Sequence, residues 1–146
     1  MEEKRTLVGL WANDYGSQME LSVECGIVRG VYRSTQGDVG RYRVTGIVDD
    51  HPGADGLAFG LIVAWRNLDV GADCGNVISG VEELSSSHWM TSLTGQLHCI
   101  DGQDILTTTF LLTKNTTPEN RWEDTVVNTM VFRRIPSGAA HAEPSG

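Results

Sequence analysis

Lysine and arginine are scarce in this sequence: 11 of them stand against 19 Asp and Glu in 146 residues, a formal charge of −8. Affinity for a phosphate backbone is built from clustered cations. Along the chain there is no such cluster, which argues against nucleic acid as the main partner and disfavours an anionic membrane surface. Long hydrophobic runs are absent too. No stretch approaches the roughly 20 consecutive apolar residues needed to cross a bilayer, so the expectation is a soluble protein. The start, Met1-Glu2-Glu3-Lys4-Arg5, carries acid where a signal peptide wants basic residues, and no apolar segment of adequate length follows. Localisation therefore reads as cytoplasmic as written, and is otherwise unknown. Three cysteines, Cys25, Cys74 and Cys99, are an odd count with no C-x-x-C spacing, which writes neither a disulfide framework nor a zinc site. His51, His88, His98 and His141 are scattered, and there is no nucleophile elbow or His-carboxylate constellation. No cofactor or metal is expected.

What the chain does contain is glycine, 17 residues against 4 prolines, in a background of Thr, Val and Ser. That combination points to many short strands joined by tight turns. Period-2 patterning recurs in Met19 to Val23, Gly26 to Tyr32 and Arg41 to Val48, each reading as a half-buried strand. Leu57 to Trp65, Trp89 to Ile100, Asp104 to Thr113 and Asp124 to Arg134 continue the series, and Leu7 to Trp11 precedes it, which makes eight. Asp101-Gly102 is the strongest local hairpin signal. Helical patterning is nearly absent. Only Val77 to Leu84 could carry it, inside a polar segment from Arg66 to His88 too long for a simple hairpin, which reads as an Ω-loop, a short helix or a lid. The expected organisation is a single all-β domain over residues 1–136 with an insertion at about 68–87, followed by a flexible tail at 137–146. Eight short antiparallel strands avoid exposed edges by closing into an up-and-down barrel or folding into a sandwich. Strand rhythm alone does not choose between them.

Several blocks, in order, resemble the avidin and streptavidin family of biotin-binding barrels. Trp11-Ala12-Asn13-Asp14-Tyr15-Gly16-Ser17 matches the family's opening W-x-N-x-x-G-S, and Gly30-Val31-Tyr32-Arg33-Ser34 its G-x-Y-x-S. Arg41 to Gly46, Gly60 to Trp65, Thr94-Gly95-Gln96, Phe110-Leu111-Leu112, and Trp122 with Thr125-Val126-Val127 and Phe132 follow in the same order. Together they cover residues 7–135. The resemblance implies an eight-stranded antiparallel up-and-down β-barrel with a small-molecule pocket at one open end. A barrel of about eight strands is just wide enough to hold one small ligand.

The same resemblance assigns candidate ligand-binding residues. Asn13, Ser17 and Tyr32 would converge as donors on the ureido oxygen of biotin, and hydrogen bonds to developing negative charge are the stronger ones. Without the resemblance, Asn13 and Ser17 read as turn residues and Tyr32 as a core aromatic. Ser34 would accept one ureido N–H, and Thr91 would face the thioether sulfur. Trp65, Leu93, Phe110 and Leu112 fall on the apolar wall, where plain barrel core is an equally ordinary reading for Leu93 and Leu112. Trp122 matches a tryptophan that reaches into a neighbouring subunit's pocket, which favours a homo-oligomer, dimer or tetramer.

Departures accompany the match. Met130 stands where the family keeps an Asp or Asn that accepts the second ureido N–H, and a buried N–H left unpaired costs about 1–3 kcal/mol. Asn128 replaces a glycine, and Glu123 replaces the basic residue after Trp122. Leu93 and Phe110 stand where the tightest binders have tryptophan. Near the expected carboxylate end the closest residues are Asp38 and Trp89. The resulting expectation is non-catalytic binding of biotin or a biotin-like cyclic urea or lactam, more weakly than is usual for the family. The competing reading is an enzyme on this scaffold that encloses a small metabolite and polarises its carbonyl. A third is a lapsed pocket filled by its own side chains, with Trp89 or Met130 projecting into it.

Overall fold

The structure is a computed structural model that describes residues 6–34, 40–49, 55–67, 89–121 and 125–136. Asp38, Trp122, Glu123, Cys74, the 68–87 insertion and the 137–146 tail lie outside the described residues. Eight strands run in chain order: β1 (Gly9–Asn13), β2 (Gln18–Glu24), β3 (Ile27–Ser34), β4 (Gly40–Asp49), β5 (Leu57–Asn67), β6 (Trp89–Ile100), β7 (Gln103–Lys114) and β8 (Thr125–Ile135). Each pairs antiparallel with its neighbour, and β1 pairs with β8, so the sheet closes into a barrel. Closure decides between the barrel and the sandwich, and it leaves no unpaired edge. Helical structure among the described residues is one 3-10 turn, Pro118–Asn120. No helix among them is long and apolar enough to cross a membrane.

The strands form where period-2 patterning predicts them, because the inward set of each is apolar and the outward set polar. In β4, Tyr42, Val44 and Val48 are buried while Arg41, Arg43, Thr45 and Ile47 face out. The first strand differs from expectation. It spans Gly9–Asn13 rather than Leu7 to Trp11, because Gly9 takes φ +135° and breaks the extended run before it. Leu7 is nonetheless fully buried, and its carbonyl accepts the Trp11 indole N–H at 2.9 Å.

One end of the barrel is tightly turned. Cys25-Gly26 and Asp101-Gly102 link β2 to β3 and β6 to β7 as two-residue turns, with both central residues at positive φ as a type I′ turn requires. At this end Arg134 reaches into a floor made by the first residues of the described chain. Its guanidinium lies 4.3 Å from the Trp11 ring centroid, bonds Asp104 at 2.8 Å, and donates to the carbonyls of Val8 and Thr6 at 2.6 Å each. Inward-facing glycines let neighbouring strands approach closely. A Cβ on Gly46 would collide with the Gly60 carbonyl oxygen of β5.

Charge is unevenly distributed over the outside. Strand pairing gathers Arg29, Arg33, Arg41 and Arg43 onto the outer face of β3 and β4, with Arg33 directly opposite Arg41. The linear sequence contains no such cluster, since these residues are spread over 15 positions and meet only across the ladder. On the neighbouring strand Glu20 of β2 lies 3.7 Å from Arg33. The outer rows of β5 to β8 are different: Ile62, Met90, Leu111 and Val127 are exposed there among threonines and small residues.

Candidate functional site

The opposite end holds a cavity of about 210 Å³ where β5 finishes and β6 begins. Its wall is Tyr32 from β3, Val63 and Trp65 from β5, Trp89, Thr91 and Leu93 from β6, Phe110 and Leu112 from β7, and Met130 from β8. Apart from Trp65, which sits in a bulge, these are inward-row residues that period 2 aligns along their strands. Among the described residues no charged side chain lines the space. Trp89 and Met130 both reach the wall without filling the cavity.

A bulge sets the position of Trp65. The register passes from Arg43↔Ala64 to Tyr42↔Asn67, leaving Trp65 and Arg66 as extra residues in β5. Bulges bend a strand and re-aim a side chain. Here the indole sits edge-on to Tyr32, with centroids 5.3 Å apart, and against Tyr42 at 4.8 Å, while its N–H donates to the Thr91 hydroxyl at 2.7 Å. Tyr32 also meets Phe132 edge-on at 6.4 Å. The aromatic wall is thus held by mutual ring contacts and one directed hydrogen bond, which preorganises it at little further cost in rotamer freedom.

Asn13, Ser17 and Tyr32 come together. The Asn13 side-chain oxygen accepts the backbone N–H groups of Tyr15 and Ser17, each at 3.0 Å, so the turn reading of this asparagine holds as well. With its oxygen so occupied, its amide N–H₂ points inward and meets the Met130 sulfur at 3.0 Å. Burial pushes the Tyr32 hydroxyl above its ordinary pKa, while hydrogen bonds with Ser17 and Asn13 pull it back. Tyr32 is therefore neutral at physiological pH and retains a proton to donate. Only Tyr32 of the three lines the cavity. Asn13 and Ser17 are buried behind it. Every buried side-chain nitrogen and oxygen among the described residues has a partner.

Met130 is held in place from behind. Its backbone carbonyl accepts the hydroxyl of Thr108, its ladder partner on β7, at 2.8 Å. Ser34 is half-buried at the end of β3, but is not among the lining residues. Val63 was not singled out by sequence reasoning, although it lies two residues before Trp65 and so on the same face. Among the described residues no three His, Cys, Asp or Glu gather as a metal site, and Cys25 and Cys99 are exposed free thiols.

A closed eight-stranded barrel with an aromatic cavity at one end and a hydrogen-bonded Asn, Ser and Tyr beneath it is what the order of sequence blocks implies. The sequence model of the Avidin family matches residues 1–135. This chain belongs to the avidin family. In this avidin-family barrel Asn13, Ser17 and Tyr32 meet at the base of the cavity, and the Met130 sulfur on its wall lies against the Asn13 amide.

Proposed function

We propose that the barrel binds biotin or a biotin-like cyclic urea or lactam without transforming it. The observation that carries this reading is the coincidence of the neutral Tyr32 donor, backed by Asn13 and Ser17, with an uncharged aromatic cavity. A polar anchor under an apolar wall is the pattern of small-molecule sites. A volume of about 210 Å³ suits a small fused ring. The ring would stack among Trp65, Trp89 and Phe110, with Leu93, Leu112 and Thr91 completing the contact and its carbonyl directed at Tyr32. Ser34 stands two residues further along the same row as Tyr32, within the reach of a ring N–H in this reading. Binding is expected to be weaker than is usual for the family, because a thioether is a poor acceptor for the second ring N–H and Leu93 and Phe110 bury less area than tryptophan.

The ligand-free protein titrated with biotin up to millimolar concentration tests this. The expected result is a saturable change in tryptophan fluorescence, since Trp65 and Trp89 form the wall, with a melting temperature that climbs with ligand as mass action requires. No change in either signal sinks the reading.

Self-association belongs to the same proposal. The outer face of β5 to β8 carries exposed Ile62, Met90, Leu111 and Val127, and contiguous apolar surface of this kind marks interaction sites. A second copy of the chain is the partner that family membership favours.

A further inference from the structure

Lys114 is the last residue of β7 and stands directly opposite Trp89, the first residue of β6. Both continue inward rows that line the cavity: Phe110 and Leu112 lead to Lys114, and Leu93 and Thr91 lead to Trp89. Two residues of antiparallel strand advance about 7 Å, so Lys114 lies one step beyond Leu112 towards the mouth. Its ammonium nitrogen is 4.7 Å from the centroid of the Trp89 ring. A cation over an indole face is held electrostatically, and an ammonium so held still has N–H protons to donate to another group. Among the described residues Lys114 has no carboxylate partner. The described residues that line the cavity below it carry no charge of either sign.

Resting on the proposed binding of a biotin-like ring, we infer that Lys114 is the counter-charge for an anionic tail on that ligand. The ring sits between Tyr32 and Phe110, a short aliphatic chain climbs past Leu112, and a terminal carboxylate meets the Lys114 ammonium at the rim. Trp89 then has two roles, covering the chain with one part of its ring and holding the cation with its face. The arrangement selects a carboxylate-bearing ligand over the same ring with a neutral tail.

The test compares biotin with its primary amide, which has the same ring and chain but no charge. Calorimetric titrations of the wild type and of Lys114→Gln are run at low salt and at about 0.5 M NaCl, where the screening length falls to a few ångström. The wild type should prefer biotin over the amide by about fivefold at low salt, the upper range for a partly exposed ion pair. That preference should collapse at high salt and vanish in Lys114→Gln, and Lys114→Arg should restore it. A loss of Trp89 packing would weaken both ligands alike, so the ratio isolates the charge. Equal affinity for biotin and the amide in the wild type, or a preference unchanged in Lys114→Gln, overturns the inference and leaves the binding function standing. Binding of neither ligand overturns both.

Discussion

Asn13 commits its whole side chain to positioning other groups. Its oxygen is fixed by two backbone N–H groups, so its amide protons are aimed at Met130 and Tyr32 before any ligand arrives. Met130 is the weak member of this arrangement, because sulfur accepts poorly. Met130→Asn supplies an amide oxygen with two lone pairs, one for Asn13 and one for a ring N–H. Affinity for a cyclic urea should rise about tenfold in this variant, the gain of one buried hydrogen bond of about 1.4 kcal/mol. A lactam with a single N–H should gain less, and paired calorimetric titrations with both rings check this. Tyr32 makes a prediction about alkaline pH. Its pKa in the folded protein is raised above the unfolded value, so the stability linked to its neutral form is fully present below about pH 10. That stability is lost as pH climbs past the unfolded value towards the folded one. Urea unfolding between pH 8 and 11 should therefore show a decline beginning near pH 10 that is absent from Tyr32→Phe. Among individual residues, Asn13, Ser17 and Tyr32 are legible from sequence through the resemblance. The Asn13 to Met130 contact is not, because it joins residues 117 positions apart through a rotamer. Lys114 is illegible for a similar reason: a lysine at a strand end reads as a solvated charge until strand pairing sets it on Trp89.

At the scale of elements, the strands carry their own instructions. Asp101-Gly102 is readable as a turn because a type I′ conformation needs two residues tolerant of positive φ, and few sequence pairs satisfy that. The start of β1, at Gly9 rather than Leu7, is not legible in the sequence for the opposite reason. Leu7 has the burial of a strand residue without the ladder, since Gly9 turns the chain before pairing begins. The two-residue bulge at Trp65 also leaves no mark in the sequence, where Val63 and Trp65 look like one uninterrupted period-2 run. Strand glycines carry a different constraint. Gly46 faces inward, and a methyl group there would strike the Gly60 backbone oxygen, which has no flexible side chain to move aside. Gly46→Ala should destabilise the barrel by about 3 kcal/mol or more, in the range of severe overpacking, read as a fall in the urea midpoint. Gly102→Ala, with nothing within 4 Å of the added carbon, should cost only about 1 kcal/mol from the positive φ.

The whole molecule has two unlike sides. Arg29, Arg33, Arg41 and Arg43 crowd the outer face of β3 and β4 beside Glu20 of β2, whereas Ile62, Met90, Leu111 and Val127 are exposed on β5 to β8. A closed barrel has no free edge to pair with another chain, so association must proceed face to face. Placing a charge in the middle of the apolar face should therefore disperse the assembly without unfolding the monomer. Leu111→Glu combined with Val127→Lys would create a compensating cross-strand pair, since these residues are ladder partners, so the informative variant is Leu111→Glu with Val127→Glu. Light scattering coupled to size-exclusion chromatography should give an oligomer for the wild type and a monomer of about 16 kDa for the variant. A monomeric wild type would refute the proposed association.

Arg134 fastens the beginning of the barrel to its end. Because it grips Thr6 and Val8 from β8, and because Leu10 pairs with Ile135, the first and last described strands leave the molecule side by side at the floor. The cavity is at the far pole. A barrel tethered to a solid support through residues following Ile135 would accordingly present its mouth to the solution.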